Sequence, residues 1–309
     1  MDIMYKDVLI FTILILTLFL LINPKKNLPI NNIFEGFLNR DKIAFIFLTI
    51  DDVNHPIIWK EFFKNNEDKY NIYVHPKNPE NVTSFFKNHI IDDLIPTQWG
   101  DVSLVDATNL LISRALKNKS NKKIILVSNS CIPIKKFSYV YNIVLEDDKS
   151  WLNFYKPDYV QGSKEHLRRM NMIEPKFKKS AYINEQWMIL SRKHAELLEK
   201  NKKLIKYFRK PTLIPDELYY ITMLHYLDKN VRKNLRFDIV SRRNYLKHDY
   251  ITYAKWFDDR TYKWQTKHPF EYTTMEKHDI LKIKSSKALF ARKFSPESDI
   301  KKYWKYIIE

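Results

Sequence analysis

The alternation of apolar and polar positions divides the chain into unequal parts. Residues 8–22, VLIFTILILTLFLLI, form an apolar run broken only by two threonines, and Asn23-Pro24-Lys25-Lys26 follows. The run is at the short end of the ~17–25 residues that a membrane-spanning helix needs. No small-residue cleavage site follows it, as a secretory signal peptide would require. The pattern predicts an uncleaved signal anchor over residues 1–22 and a stem over 23–40. The flanking charges, with Lys25 and Lys26 on the C-terminal side, would leave the rest of the chain cytoplasmic by the positive-inside rule.

From residue 41 onward the periodicity is that of a globular domain reaching to residue 309. Residues 42–49, KIAFIFLT, are a compact apolar run of the kind that forms a strand buried on both faces. Residues 55–65 have apolar positions at helical spacing, residues 70–75 predict a second strand, and residues 102–116 an amphipathic helix with Asp101 or Ser103 near its cap. Residues 123–128 predict a third strand, ending in the polar turn Asn129-Ser130-Cys131-Ile132-Pro133. Residues 149–179 read as a basic loop, 181–190 as a strand, and 191–203 and 216–226 as helices. Strands alternating with helices imply an α/β, Rossmann-like fold with a largely parallel central sheet. In such sheets ligands bind at the carboxyl ends of the strands.

Composition narrows the chemistry. Only 3 glycines occur, so neither a glycine-rich phosphate loop nor a dinucleotide fingerprint can be built. A single cysteine, Cys131, excludes an intramolecular disulfide and a thiolate zinc cluster. The net charge of +17 favours an anionic partner, which leaves open a nucleotide diphosphate, a nucleic acid, an anionic membrane or an acidic glycan. A genome biased towards Lys, Asn and Ile would produce the same balance.

Leu213-Ile214-Pro215-Asp216-Glu217-Leu218-Tyr219-Tyr220 is, by itself, a capped helix start with acidic residues at the positive end of the helix dipole. Its neighbours along the chain change that reading. The ordered segments Trp99-Gly100-Asp101-Val102-Ser103-Leu104-Val105-Asp106-Ala107, Leu126-Val127-Ser128-Asn129-Ser130-Cys131-Ile132-Pro133-Ile134, Pro215-Asp216-Glu217 and Leu289-Phe290-Ala291-Arg292-Lys293-Phe294 are similar to the core-2/I-branching glycosyltransferase family, and more specifically to its plant-type branch. Tyr73-Val74-His75, Arg168-Arg169-Met170 and Gln186-Trp187 add to the resemblance, which extends from about residue 42 to 294.

The resemblance implies a GT-A-like fold and inverting transfer of N-acetylglucosamine or xylose from a UDP-sugar to a glycan or glycoprotein, with no metal ion. No Asp-x-Asp triplet occurs. It implies Glu217 as the base that takes the acceptor hydroxyl's proton, and Lys293, with adjacent Arg292, as the charge on the diphosphate. Where animal members carry a further arginine, this chain has Lys267-His268-Pro269-Phe270, which makes His268 or Lys267 the substitute candidate. His75, Ser128 and Asp106 are expected at the nucleotide, and Trp264, Gln186, Trp187 and Arg169 at the acceptor. An anchored enzyme of this kind usually faces the secretory lumen, and Asn81-Val82-Thr83 and Asn118-Lys119-Ser120 are acceptor sequons. Lumenal placement is therefore favoured over the cytoplasmic face, and no nucleic acid is expected. Two other readings remain: a basic, membrane-tethered protein that binds nucleic acid or an anionic glycan, and an inactive relative that keeps the fold.

Overall fold

The computed structural model describes residues 40–157, 164–210, 213–236, 251–258, 263–264 and 268–309. The chain divides into two units, Met1–Arg40 and Asp41–Glu309, and the second holds every element named below. The run at residues 8–22 and the stem lie outside the described residues. Among the described residues no helix is long and apolar enough to cross a membrane. The expected single-pass localisation is corrected accordingly.

The first strand, β1 (Lys42–Thr49), lies inside a five-stranded sheet of order β2-β1-β3-β6-β5, with β2 Tyr70–Pro76, β3 Asn121–Ser128, β5 Trp151–Tyr155 and β6 Ile183–Ser191. Its unbroken apolar character follows from burial on both faces, because alternate residues enter different cores. Ile43, Phe45 and Phe47 join one apolar cluster, whereas Ala44 and Ile46 join the other. The first cluster is rich in aromatic rings. Trp59 on helix α1 (Pro56–Phe63) packs edge-on to Phe45 and Phe47 and stacks on Phe290 with ring centroids 5.9 Å apart. Helix α2 (Ser103–Lys117) covers the other face through Val105, Leu111 and Ile112.

The sheet is mixed rather than largely parallel. β1 runs parallel to β2 and β3, but β6 is antiparallel to both β3 and β5. Strand direction leaves no trace in a run that is apolar on both faces, so the sequence pattern could not separate the two cases. A second sheet, in the order β4-β10-β7, joins β4 (Ile132–Pro133) to β10 (Phe290–Arg292) and β7 (Thr252–Ala254), and β8 (Phe257–Asp258) pairs with β9 (Lys263–Trp264).

Two further expectations change. The basic loop expected over 149–179 contains β5, all of whose residues are buried, and helix α3 (Lys164–Met172). That helix lacks an apolar stripe, and its one buried residue is Arg169, so hydrophobic periodicity could not reveal it. The helix expected over 216–226 is split. Pro215–Glu217 is a separate 3₁₀ turn, and α4 (Tyr219–Leu227) begins only after Leu218.

Candidate active site

Strand β6 touches two groups of candidate residues: the Pro215–Glu217 turn packs against it, and its Trp187 lies under Arg292. One edge of the site is the Pro215–Glu217 turn, which packs against β6 and α2. Ile214, just before it, has φ 49°. This left-handed conformation is rare for a β-branched residue, and the residue before a proline is disfavoured in the right-handed helical region. Arg169 holds this strained corner in place. Its Nε donates to Leu213 O at 2.8 Å, its Nη2 to Ile214 O at 3.0 Å, and its Nη1 to Glu217 Oε2 at 2.7 Å. The arginine side chain is 1% exposed and that of Glu217 is 37% exposed. One carboxylate oxygen of this partly exposed side chain is thus fixed by a buried cation.

Asp216, next in the chain, has the opposite environment. Its Oδ1 is sealed from solvent and has no hydrogen-bond partner among the described residues. Burial, reinforced by the neighbouring Glu217 charge, raises its pKa to about 7. The two adjacent carboxyl groups thus have divergent environments: Glu217 is half-exposed and cation-paired, and Asp216 is the group that resists ionisation. Nothing in the sequence separates Asp216 from its neighbours except its place in the motif.

The other edge is cationic. Phe290, stacked on Trp59, ties β10 into the aromatic core, and Phe294, stacked on Tyr272 with its N–H donating to Ser130 O at 3.1 Å, ties down the residues after it. Between these anchors, the Arg292 guanidinium carbon lies 4.6 Å from the centre of the Trp187 ring on β6, a cation–π contact. Its Nε is buried without a partner among the described residues. Burial lowers the Arg292 pKa, and the nearby carboxylates of Glu185 and Glu271 oppose that shift. Lys293 is 33% exposed, with Nζ 3.4 Å from Glu271 Oε1. At this exposure such a pair is weak, so the ammonium can exchange it for a stronger anion.

The other residues expected at the site differ in their surroundings. Trp187 is 5% exposed beneath Arg292, so it supports the cation instead of facing an acceptor. Gln186 is half-buried beside it on β6. Arg169 is used up on the Glu217 turn and does not face an acceptor. His75 ends β2 but is fully buried, and its Nε2 accepts from the Ile95 N–H at 3.1 Å. Burial lowers its pKa, and it braces the 91–95 loop. Asp106 is paired with Arg209 at 2.9 Å and is likewise engaged. Ser128 lies at the carboxyl end of β3, within 3.2 Å of Ser130 Oγ and Cys131 Sγ. His268 is exposed, its ring 5.8 Å from that of Trp99. Trp264 is in β9, and its side chain lies outside the described structure.

One hydrogen-bonded chain mimics a nucleophile site. Ser150 Oγ is 2.7 Å from His194 Nδ1, and His194 Nε2 is 3.1 Å from Asp228 Oδ2. Ser150 and His194 are both fully buried, so no substrate reaches them and the chain is internal bracing.

Comparison with known proteins identifies the family. Glycosyltransferase BC10 of Oryza sativa subsp. japonica is 28% identical over 178 residues, which are 55% of this chain and 43% of that protein. The chain thus spans less than half the length of this relative. Among solved structures, A197 from STIV matches with a TM-score of 0.24 at 11% identity, over 50% of this chain and 67% of that one. An active-site mutant of LgtC matches with a TM-score of 0.33 at 8% identity, over 68% and 74%. Both scores are too low to carry an argument. The model of the core-2/I-branching enzyme family matches residues 43–284, which include the sheet, the Glu217 turn and Arg169, and the chain therefore belongs to the core-2/I-branching family of glycosyltransferases.

Proposed function

We propose that this chain is an inverting, GT-A-like glycosyltransferase that moves N-acetylglucosamine or xylose from a UDP-sugar to a hydroxyl of a glycan or glycoprotein. Glu217 takes the proton from that hydroxyl as its oxygen attacks the anomeric carbon from the face opposite the diphosphate. The bond to the diphosphate breaks, and UDP leaves with the electron pair. A diphosphate is a competent leaving group when positive charge meets it as the bond opens. Arg292 and Lys293 supply that charge in this reading, and a metal ion is not required. A guanidinium suits this task, since its planar donors match phosphate oxygens.

The observation that carries the reading is the held carboxylate: Glu217 is pinned at 2.7 Å by an arginine that is 1% exposed. A base must be aimed before its basicity matters, and this one is aimed by a cation that is itself held in place by two backbone carbonyls. The experiment is UDP release from UDP-N-acetylglucosamine and UDP-xylose, with and without chelator. Release that survives the chelator is expected, and dependence on added metal would overturn the metal-free mechanism. Strongly salt-dependent nucleic-acid binding without UDP affinity would favour the basic binding-protein reading instead.

A further inference from the structure

Trp99 is 71% exposed, the highest value among the large exposed apolar residues described. An exposed apolar side chain alone is ordinary, but the setting of this one is not. The Asp101 N–H donates to Gln98 O at 3.2 Å, and Gly100 has φ 71°. Residues 98–101 are therefore a type II β-turn with glycine where positive φ is required and Trp99 at the preceding corner. The turn is locked on both sides: the Gln98 N–H donates to Ser103 Oγ at 3.0 Å, and the Ser103 N–H to Asp101 Oδ1 at 2.8 Å. An indole at such a tip is presented rigidly to solvent.

The turn also lies against the residue that leads into the Pro215–Glu217 turn. A β-carbon at Gly100 would stand 3.9 Å from Ile214 Cγ1, and Ile214 is the strained residue whose carbonyl Arg169 holds. Among the described residues the ring against Trp99 is that of His268, edge-on at an interplanar angle of 69°, and most of the indole stays uncovered. We propose that Trp99, edged by His268, is a platform on which the apolar C–H face of an acceptor sugar stacks, bringing a sugar hydroxyl to Glu217. The platform rests on the transferase reading and assigns its acceptor class: a saccharide and not a bare peptide. Aromatic rings suit this task because they offer a flat apolar surface, and the indole N–H can donate to a hydroxyl.

The test uses the full chain with UDP-N-acetylglucosamine and UDP-xylose as donors, and methyl β-galactoside, methyl β-glucoside and methyl β-xyloside as acceptors. Trp99→Ala should raise the acceptor KM roughly tenfold with a much smaller change in donor KM, and Trp99→Phe should restore most of the loss. An acceptor KM within about twofold of the parent for every glycoside, or no rescue by phenylalanine, would overturn the platform. So would transfer confined to a serine-containing peptide. Failure of the parent protein to release UDP from either donor would sink the transferase reading itself, which separates that failure from failure of the platform.

Discussion

The two edges of the site are built on opposite plans. At the acidic edge the hydrogen bonds described for Arg169 go to the protein's own groups, two carbonyls and Glu217. At the cationic edge Arg292 has a buried Nε without a partner among the described residues, and Lys293 has a weak, half-open pair with Glu271. At the first edge the cation is satisfied by the protein's own groups; at the second it is not. Such a division suits a transferase in which the base must be fixed before the acceptor arrives, whereas the diphosphate brings its own charge. It also separates the expected mutational effects, since damage to the first edge should appear in turnover and damage to the second in donor affinity as well.

The largest effect is expected for Glu217→Gln, which keeps the shape and removes the base. Turnover should fall about 10²–10⁴-fold, the usual contribution of general-base catalysis, while UDP affinity measured by calorimetry stays close to that of the parent. Near-normal turnover in the folded variant would refute the assignment. At the other edge, Lys293→Met and Arg292→Leu should each reduce kcat/KM for the donor by about 10²-fold, the scale seen when one preorganised electrostatic contact is removed, and both should weaken UDP binding. Loss of turnover with intact UDP affinity would erase the contrast between the edges.

Much of this architecture is legible in the sequence where burial is symmetrical and local. β1 and β3 are visible as unbroken apolar runs, and the Pro215-Asp216-Glu217 and Arg292-Lys293 motifs as ordered company. The reversed direction of β6 is not, because apolar runs carry no polarity. Helix α3 is not, because the residue it buries is an arginine, which periodicity counts as solvent-facing. Arg169 and Trp187 are recognisable as site residues, but the resemblance points them at the acceptor. Their actual partners, Glu217 and Arg292, are 48 and 105 positions away in the chain, and only the fold brings them together. His75 misleads for a related reason: a histidine at a strand end looks like a ligand group until its Ile95 contact is seen.

Arg169→Lys sharpens the comparison at an intermediate level. A lysine keeps the charge but cannot span two carbonyls and a carboxylate with a planar fork. Turnover should fall roughly 10-fold or more, with donor KM little changed. Arg169→Met leaves the two carbonyls without a donor and Glu217 without its cation, and should cost about 1–3 kcal/mol in urea unfolding, the scale of an unsatisfied buried polar group. Equal effects of the two variants on turnover and stability would mean that the arginine only holds the fold together.

The smallest effect concerns Asp216, and its sign follows from the raised pKa. The folded value is about 7 against an ordinary 3.8. Below about pH 4 both folded and unfolded chains carry the proton. Between about pH 4 and 7 the unfolded chain releases it and the folded chain keeps it, so stability falls as pH rises through that window and levels off above it. Asp216→Asn cannot ionise and should escape this loss. Its Tm should match that of the parent near about pH 4 and exceed it at about pH 8, by ~2–4 °C for each kcal/mol recovered in a domain of this size. Turnover should change far less than in Glu217→Gln, because the proposed proton acceptor is kept. A gain in Tm that does not depend on pH would mean that Asp216 is destabilising through its unpartnered oxygen and not through its charge, and the two adjacent carboxyls would then differ in packing alone.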